Sequence, residues 1–436
     1  MNSNSKKKLR STIFILIFCN LFFGNAFSNV GILGIPINEI YLLVILLFIG
    51  LAQINTILIQ ELKFNSLFFW YLFGLIYIFL YFIINGIWAI RDGLFIIDSL
   101  YLIIGYYLFD KINDLVEIKF FFKLILIVSF FYIFFFLYSD FFIKFSPIIT
   151  TYSGNQHSLF FNFLSIKITL VWSAFIGYVL YFNHKIKSNF FFITLTMFSF
   201  IFFQSRQQYI STIAGIFILI LNKKIKLKNF FSLFLFLILF IILFSLMNFE
   251  IKGRLEIFNF KFLYQHFLTL LTPFYKINVD YEILNSQVGS AIDRLSWWNS
   301  VLENSIATIK NFLIGAGFGK PLINFYASAL DIPAREPHNS YLTIIGRIGY
   351  VGLLFWCLIH IKIFKYVYKT LKINFTDKYL NNVVLLILIY LTIIIISSLG
   401  DSMFTMPNYS IPFYFFSGVV LKIYKLSQSP LNLKIA

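Results

Sequence analysis

Long uninterrupted apolar runs recur through this chain, and they constrain its fold more than any other feature. Many reach roughly 18 residues, enough for a helix to cross about 30 Å of hydrocarbon. Of the 436 residues, 60% are hydrophobic and only 12% charged, which excludes an ordinary soluble globular domain. Backbone amides in lipid must find partners within their own segment, so the runs are expected to be helices. A transmembrane β-barrel would need alternating rather than continuous apolar character.

Twelve spans are expected, near 11–28, 39–59, 65–84, 94–109, 119–138, 158–182, 189–204, 207–222, 229–247, 341–363, 381–399 and 410–426. The net charge of +17 is carried largely by lysine clusters flanking these runs: Lys6 to Lys8, Lys223 to Lys228, Lys362 to Lys378 and Lys422 to Lys434. Their placement follows the positive-inside rule with both termini cytoplasmic, which accounts for the basic excess without nucleic acid. Cys19 and Cys357 both lie in apolar runs and make neither a disulfide framework nor a thiolate metal site. The fold class is thus an all-α polytopic membrane protein. Spans 1 to 9 occupy 1–247, a large extracytoplasmic loop 248–340, and spans 10 to 12 with a cytoplasmic tail 341–436.

Within the long loop, residues 291–306 have helical periodicity, with Leu295, Trp298, Val301 and Leu302 expected on one face of a helix lying at the membrane interface. An island of glycine and polar residues follows: Gly315-Ala-Gly-Phe-Gly319, then Glu336-Pro-His-Asn-Ser-Tyr-Leu342. A chain built to sit in lipid has little structural need for such a segment.

Three polar residues stand out by position. Arg206 occupies the tight connection between the seventh and eighth runs, where a guanidinium is costly unless it is paired, meets a ligand or snorkels to the interface. Arg294 lies in the interfacial helix, where Asp293 or Glu303 can pair with it. His338 stands just before the tenth span, which it or Asn339 or Ser340 can cap. Lys167, well inside a span, needs a partner or a cavity, with Asp98 one candidate; Arg91 and Arg335 are further cations. The glycines are not a dinucleotide fingerprint, because no βαβ unit surrounds them. The loop carboxylates show no metal-ligand spacing, so neither metal nor cofactor is expected.

Taken in order, Ser205-Arg206, Arg294-Leu-Ser-Trp-Trp298, Ile314-Gly-Ala-Gly-Phe-Gly319 and Pro337-His-Asn-Ser-Tyr-Leu342 resemble the O-antigen ligase-like family of polytopic glycosyltransferases. That family includes O-antigen ligases and Wzy-type polysaccharide polymerases, and the likeness covers roughly residues 190–400. The acidic residue often found between the His-Asn pair and the following glycines is not obvious; Arg347 occupies that region.

The resemblance implies a GT-C-like architecture in the bacterial inner membrane, with a site facing the periplasm. It implies an undecaprenyl-diphosphate-linked oligosaccharide donor, a glycan acceptor, surrounding lipids, and a chain-length regulator and flippase as partners. Arg206 and Arg294 would bind the donor diphosphate, for which a planar guanidinium is well suited. His338 would be the general base. Gly315, Gly317, Gly319, Arg335, Asn339 and Tyr341 would contact substrate. The expected activity is a surface-polysaccharide polymerase, the alternatives being a ligase to lipid A core and, from another class, a flippase or other transporter.

Overall fold

The computed structural model describes residues 3–32, 35–61, 65–136, 138–150, 156–160, 163–181, 184–203, 205–224, 260–268, 282–323, 325–326, 333–373 and 378–428, besides isolated positions. The expected span 229–247 lies outside them, as does much of 248–281. The described chain is almost wholly helical. Its principal helices are α1 (Ser3–Ser28), α2 (Ile37–Ile49), α3 (Asn65–Asn85), α4 (Ile87–Asp92), α5 (Leu94–Tyr107, with a 3-10 turn inside it), α6 (Val116–Phe136) and α7 (Phe163–Leu180). They continue as α8 (Lys185–Phe203), α9 (Arg206–Leu221), α10 (Glu282–Ile306), α11 (Ile309–Ile314), α12 (Ser340–Leu371), α13 (Lys378–Ser397) and α14 (Pro407–Ser427). Shorter helical turns and three two-stranded antiparallel pairs make up the rest of the described elements.

Among the described residues, α1, α3, α6, α12 and α13 are long and apolar enough to cross a membrane. α2 with Gln53–Ile59 makes a sixth span if its 91° bend is counted as one broken helix, while α5, α7 and α9 are shorter apolar helices. This is an integral membrane protein of the all-α class. Among the described residues the expected runs fall on helices, not all of them of full spanning length. The run 94–109, for instance, is shortened by the turn at Asp98–Leu100.

α14 is the hub, buried on every side between Pro407 and Leu421. It meets α5 at Gly105 and Gly418, where an added Cβ would strike the backbone at Phe415 and Leu102. Small residues at such contacts let helix backbones approach closely, which matters where lipid supplies no hydrophobic drive between helices. At the lysine-rich end, Arg10 pairs with Asp114 (3.2 Å) and Glu117 (3.1 Å), and Lys6 with Asp110 (2.7 Å), tying α1 to the start of α6.

α10 confirms the expected helix and extends it. Trp298 and Val301 turn towards α12, joining Leu342 and Ile345 in a small apolar cluster. Leu302 does not share that face and is exposed. The expected single stripe therefore splits, because α10 is covered on one side by α12.

Candidate active site

The site is built around the turn that opens α12. Asn339 caps this helix: its side-chain Oδ1 accepts from Tyr341 N (3.0 Å) and Leu342 N (3.1 Å), while Nδ2 donates to Leu399 O (2.9 Å). The cap is Asn339 rather than His338, and the imidazole is left available. His338 itself adopts φ +50°, the left-handed region, which for a non-glycine residue costs about 1–2 kcal/mol and calls for compensation. Its neighbours hold it there. Pro337 O accepts from Trp298 Nε1 (2.8 Å), and the His338 ring lies 6.0 Å from the Trp297 ring. The side chain is 42% exposed, with Nδ1 3.4 Å from Asp401 Oδ1.

Asp401 sits in the turn between α13 and α14. Ser402 N donates to its Oδ1 (2.9 Å), and Lys167 Nζ lies 3.5 Å from Oδ2. Burial opposes ionisation of this carboxyl, but the His338 hydrogen bond and the Lys167 charge outweigh it and hold its pKa well below the usual carboxylate range. Lys167 is therefore partnered by Asp401 and not by Asp98, which accepts from Ser410 Oγ in the core. Sequence reasoning overlooked Asp401. The available signal was that it is the one charged residue in the connection 400–409.

Arg294 reaches this turn, and Arg206 stands beside it. Arg294 Nη1 donates to Gly400 O (2.9 Å); among the described contacts it is held by that carbonyl and not by Asp293 or Glu303. Arg206 opens α9, whose first turn is fastened to the end of α13 by Gln207 Nε2 donating to Ser397 O (3.4 Å). The charges of Arg206 and Arg294 act directly on each other. Five elements thus bring Lys167, Arg206, Arg294, His338 and Asp401 around residues 397–402.

The glycine island has a different neighbourhood. Gly315, Gly317 and Gly319 have φ of +76°, +88° and +96°, conformations that favour glycine. α12 is broken at Gly349 (φ +69°), and the island's amides dock at the break: Ala316 N donates to Gly346 O (2.8 Å) and Gly317 N to Arg347 O (3.0 Å). A Cβ on Gly315 would meet the Arg347 backbone, one on Gly317 would fall within the Tyr81 ring, and one on Gly319 would strike Asn85. Close packing against α3 and α12 is thus sufficient reason for all three glycines.

Arg335 and Arg347 converge on a second carboxylate missed by sequence reasoning, Asp92 at the end of α4. Arg335 lies 3.1 Å and Arg347 3.0 Å from Oδ2, which also accepts from Gly319 N (2.8 Å). Arg335 and Arg91 both lie against the Trp88 ring, at 4.2 and 4.9 Å. Beside them Glu336 accepts from Thr405 Oγ1 (2.9 Å); burial pushes its carboxyl pKa up, with Arg347 partly offsetting the rise. This network pins the strand leading to His338. Tyr341 is likewise engaged, its hydroxyl donating to Ile395 O (2.9 Å). No group of three or more His, Cys, Asp or Glu among the described residues is arranged to hold a metal ion.

Residues 190–357 match the family model described as O-antigen ligase. Over this segment the chain is O-antigen ligase-like. The match contains Arg206, Arg294, the glycine island and His338, while Lys167 and Asp401 lie outside it. No curated protein matches the chain.

Proposed function

We propose that the protein is an inverting glycosyltransferase that moves a glycan from an undecaprenyl-diphosphate carrier to a sugar hydroxyl on the next lipid-linked repeat unit, acting as a surface-polysaccharide polymerase. The observation that carries this reading is the convergence of an accessible His338–Asp401 pair with Arg206 and Arg294 on one turn. Asp401 accepts the Nδ1 proton of His338, which fixes the tautomer and leaves Nε2 free as the base. As the acceptor oxygen attacks C1, its proton passes to Nε2 and the C1–O bond to the diphosphate breaks. Undecaprenyl diphosphate leaves as an anion, and the anomeric centre is inverted. Arg206 and Arg294 stabilise the charge gathering on that leaving group.

Asn339, Arg335, Tyr341, Gly315, Gly317 and Gly319 stand behind these groups. Their assigned part is to fix the turn on which His338 is presented, with Asn339 and Arg335 bordering the substrate. By the positive-inside rule the lysine-rich helix ends support cytoplasmic termini, and with them a site that faces the periplasm from the inner membrane in a GT-C-like arrangement of twelve spans.

The test is reconstitution with an undecaprenyl-diphosphate repeat unit. A ladder of longer lipid-linked glycans is expected, and His338→Ala should abolish it while donor binding persists. Transfer to a lipid A core acceptor without a ladder would replace polymerase by ligase. Full turnover by His338→Ala would remove the base, and transport without transfer would overturn the enzyme reading.

A further inference from the structure

α10, α11 and the glycine island form a helical hairpin whose elbow lies well below the ends of the helices around it. The descending limb follows α12: Trp298 bonds to Pro337, Val301 lies beside Gly346, and Ser305 Oγ is 3.5 Å from the Tyr350 hydroxyl. The ring of Phe312 is 4.6 Å from that of Tyr350, and Leu313 O abuts Gly349. The ascending limb then climbs α3 turn by turn. Tyr77 OH donates to Ile314 O (2.8 Å), Gly317 packs on Tyr81, and Asn85 Nδ2 donates to Phe318 O (2.6 Å).

Two neighbouring helices therefore act as rulers. Tyr77 is eight residues before the end of α3 and Tyr350 ten after the start of α12, placing the elbow about 12–15 Å down each helix at 1.5 Å per residue. α3 is 21 residues long, close to one hydrocarbon thickness. Its outward face remains apolar above Tyr77, through Phe79, Ile83 and Ile84, the last 71% exposed. Lipid must cover that flank, and the elbow lies level with its lower part.

We infer that residues 302–313 are a re-entrant element whose exposed apolar face contacts the lipid acyl chains of the leaflet on the His338 side. Ile306, Ile309, Phe312 and Leu313 form that face, with Ile309 81% exposed. The elbow is fastened to α3 at Tyr77 and Tyr81, level with that helix's exposed apolar flank, which identifies the occupant of this face as lipid. Irregular backbone survives at membrane depth only when its polar groups are satisfied by protein. Here Asn311 N donates to Thr308 Oγ1 (3.0 Å), Asn311 Nδ2 to Asn304 O (3.0 Å) and Gly315 N to Asn311 O (3.0 Å), and the island's amides dock on α12. The Lys310 stem lets its ammonium climb part of the way towards the headgroup zone. α10 carries Arg294, so its lipid-anchored end fixes the height of that guanidinium relative to the bilayer. None of this depends on the proposed reaction.

The experiment uses full-length protein in lipid nanodiscs. Nitroxides are attached at Ile309→Cys and Phe312→Cys in a Cys19→Ser, Cys357→Ser background, with Phe79→Cys, on the exposed flank of α3, and Lys111→Cys as lipid and water references. Oxygen collision rates as high, and nickel-chelate rates as low, as at position 79 are the expected result. Nickel access matching position 111 overturns the inference. Exclusion of both reagents, marking a protein partner on this face, also overturns it. Unmodified protein gives a second measurement: photolysis of a phospholipid carrying an acyl-chain diazirine should label the 302–313 peptide, and absence of label there alongside label on α3 counts against lipid contact.

Discussion

Gly317→Ala separates a packing role for the glycine island from a substrate role. The alanine must adopt φ +88°, and its Cβ would fall within the ring of Tyr81. The left-handed conformation costs roughly 1–2 kcal/mol, and forcing the ring aside a further 1–3, so a loss of about 2–5 kcal/mol is expected. Tyr81 cannot withdraw freely, since its ring also packs edge-on to Tyr77 (4.9 Å) and Phe318 (6.2 Å). Unfolding in mixed micelles, followed by intrinsic fluorescence, measures the loss. In a Tyr81→Ala background the steric part should vanish and the backbone part remain, giving a coupling of about 1–3 kcal/mol in the double-mutant cycle. Unchanged stability of Gly317→Ala, with a raised KM for donor, would refute the packing account and return the island to the substrate. The same cost with and without the Tyr81 ring would refute the steric part alone.

Asp401→Asn should lower turnover by about 10²–10⁴-fold with little change in donor KM, because the base loses its orienting anion; an unchanged kcat would break the link to His338. The depressed pKa of Asp401 means that its contribution to stability is fully present above the unfolded carboxylate value, near 4. It is lost as pH falls through the lower folded value, so acid unfolding of Asp401→Asn should begin at higher pH than in the wild type. Glu336 has the opposite sign: its raised pKa makes the wild type lose stability as pH rises from about 4 through the folded value, and Glu336→Gln should flatten that slope in a thermal-shift series. Arg206→Lys should cut kcat/KM by at least about tenfold if the guanidinium grips the diphosphate through two oxygens, and wild-type activity would exclude that grip.

The ordered polar residues were legible because each is conspicuous where it stands. Arg206 interrupts apolar sequence, Arg294 lies in an amphipathic helix, and His338 precedes a span. Their assembly was not legible. Asp401 is 63 residues beyond His338, and nothing local in Gly400-Asp-Ser402 announces that the turn will meet α7, α9, α10 and α12. Asp92, in a short helix far from Arg335 and Arg347, was hidden for the same reason.

The sequence by itself determined that the chain is helical and lives in a membrane, since apolar length and backbone hydrogen bonding in lipid admit little else. It also marked the arginines and the histidine, because an isolated charge in apolar sequence is costly wherever it is placed. Only the tertiary structure decided that Lys167 and His338 meet Asp401, and that Arg335 and Arg347 meet Asp92. Only it showed that the glycine island fills the break in α12 against Tyr81 and Asn85. Pairing and close packing depend on distances between segments far apart in the chain, and no local pattern of residues encodes those distances.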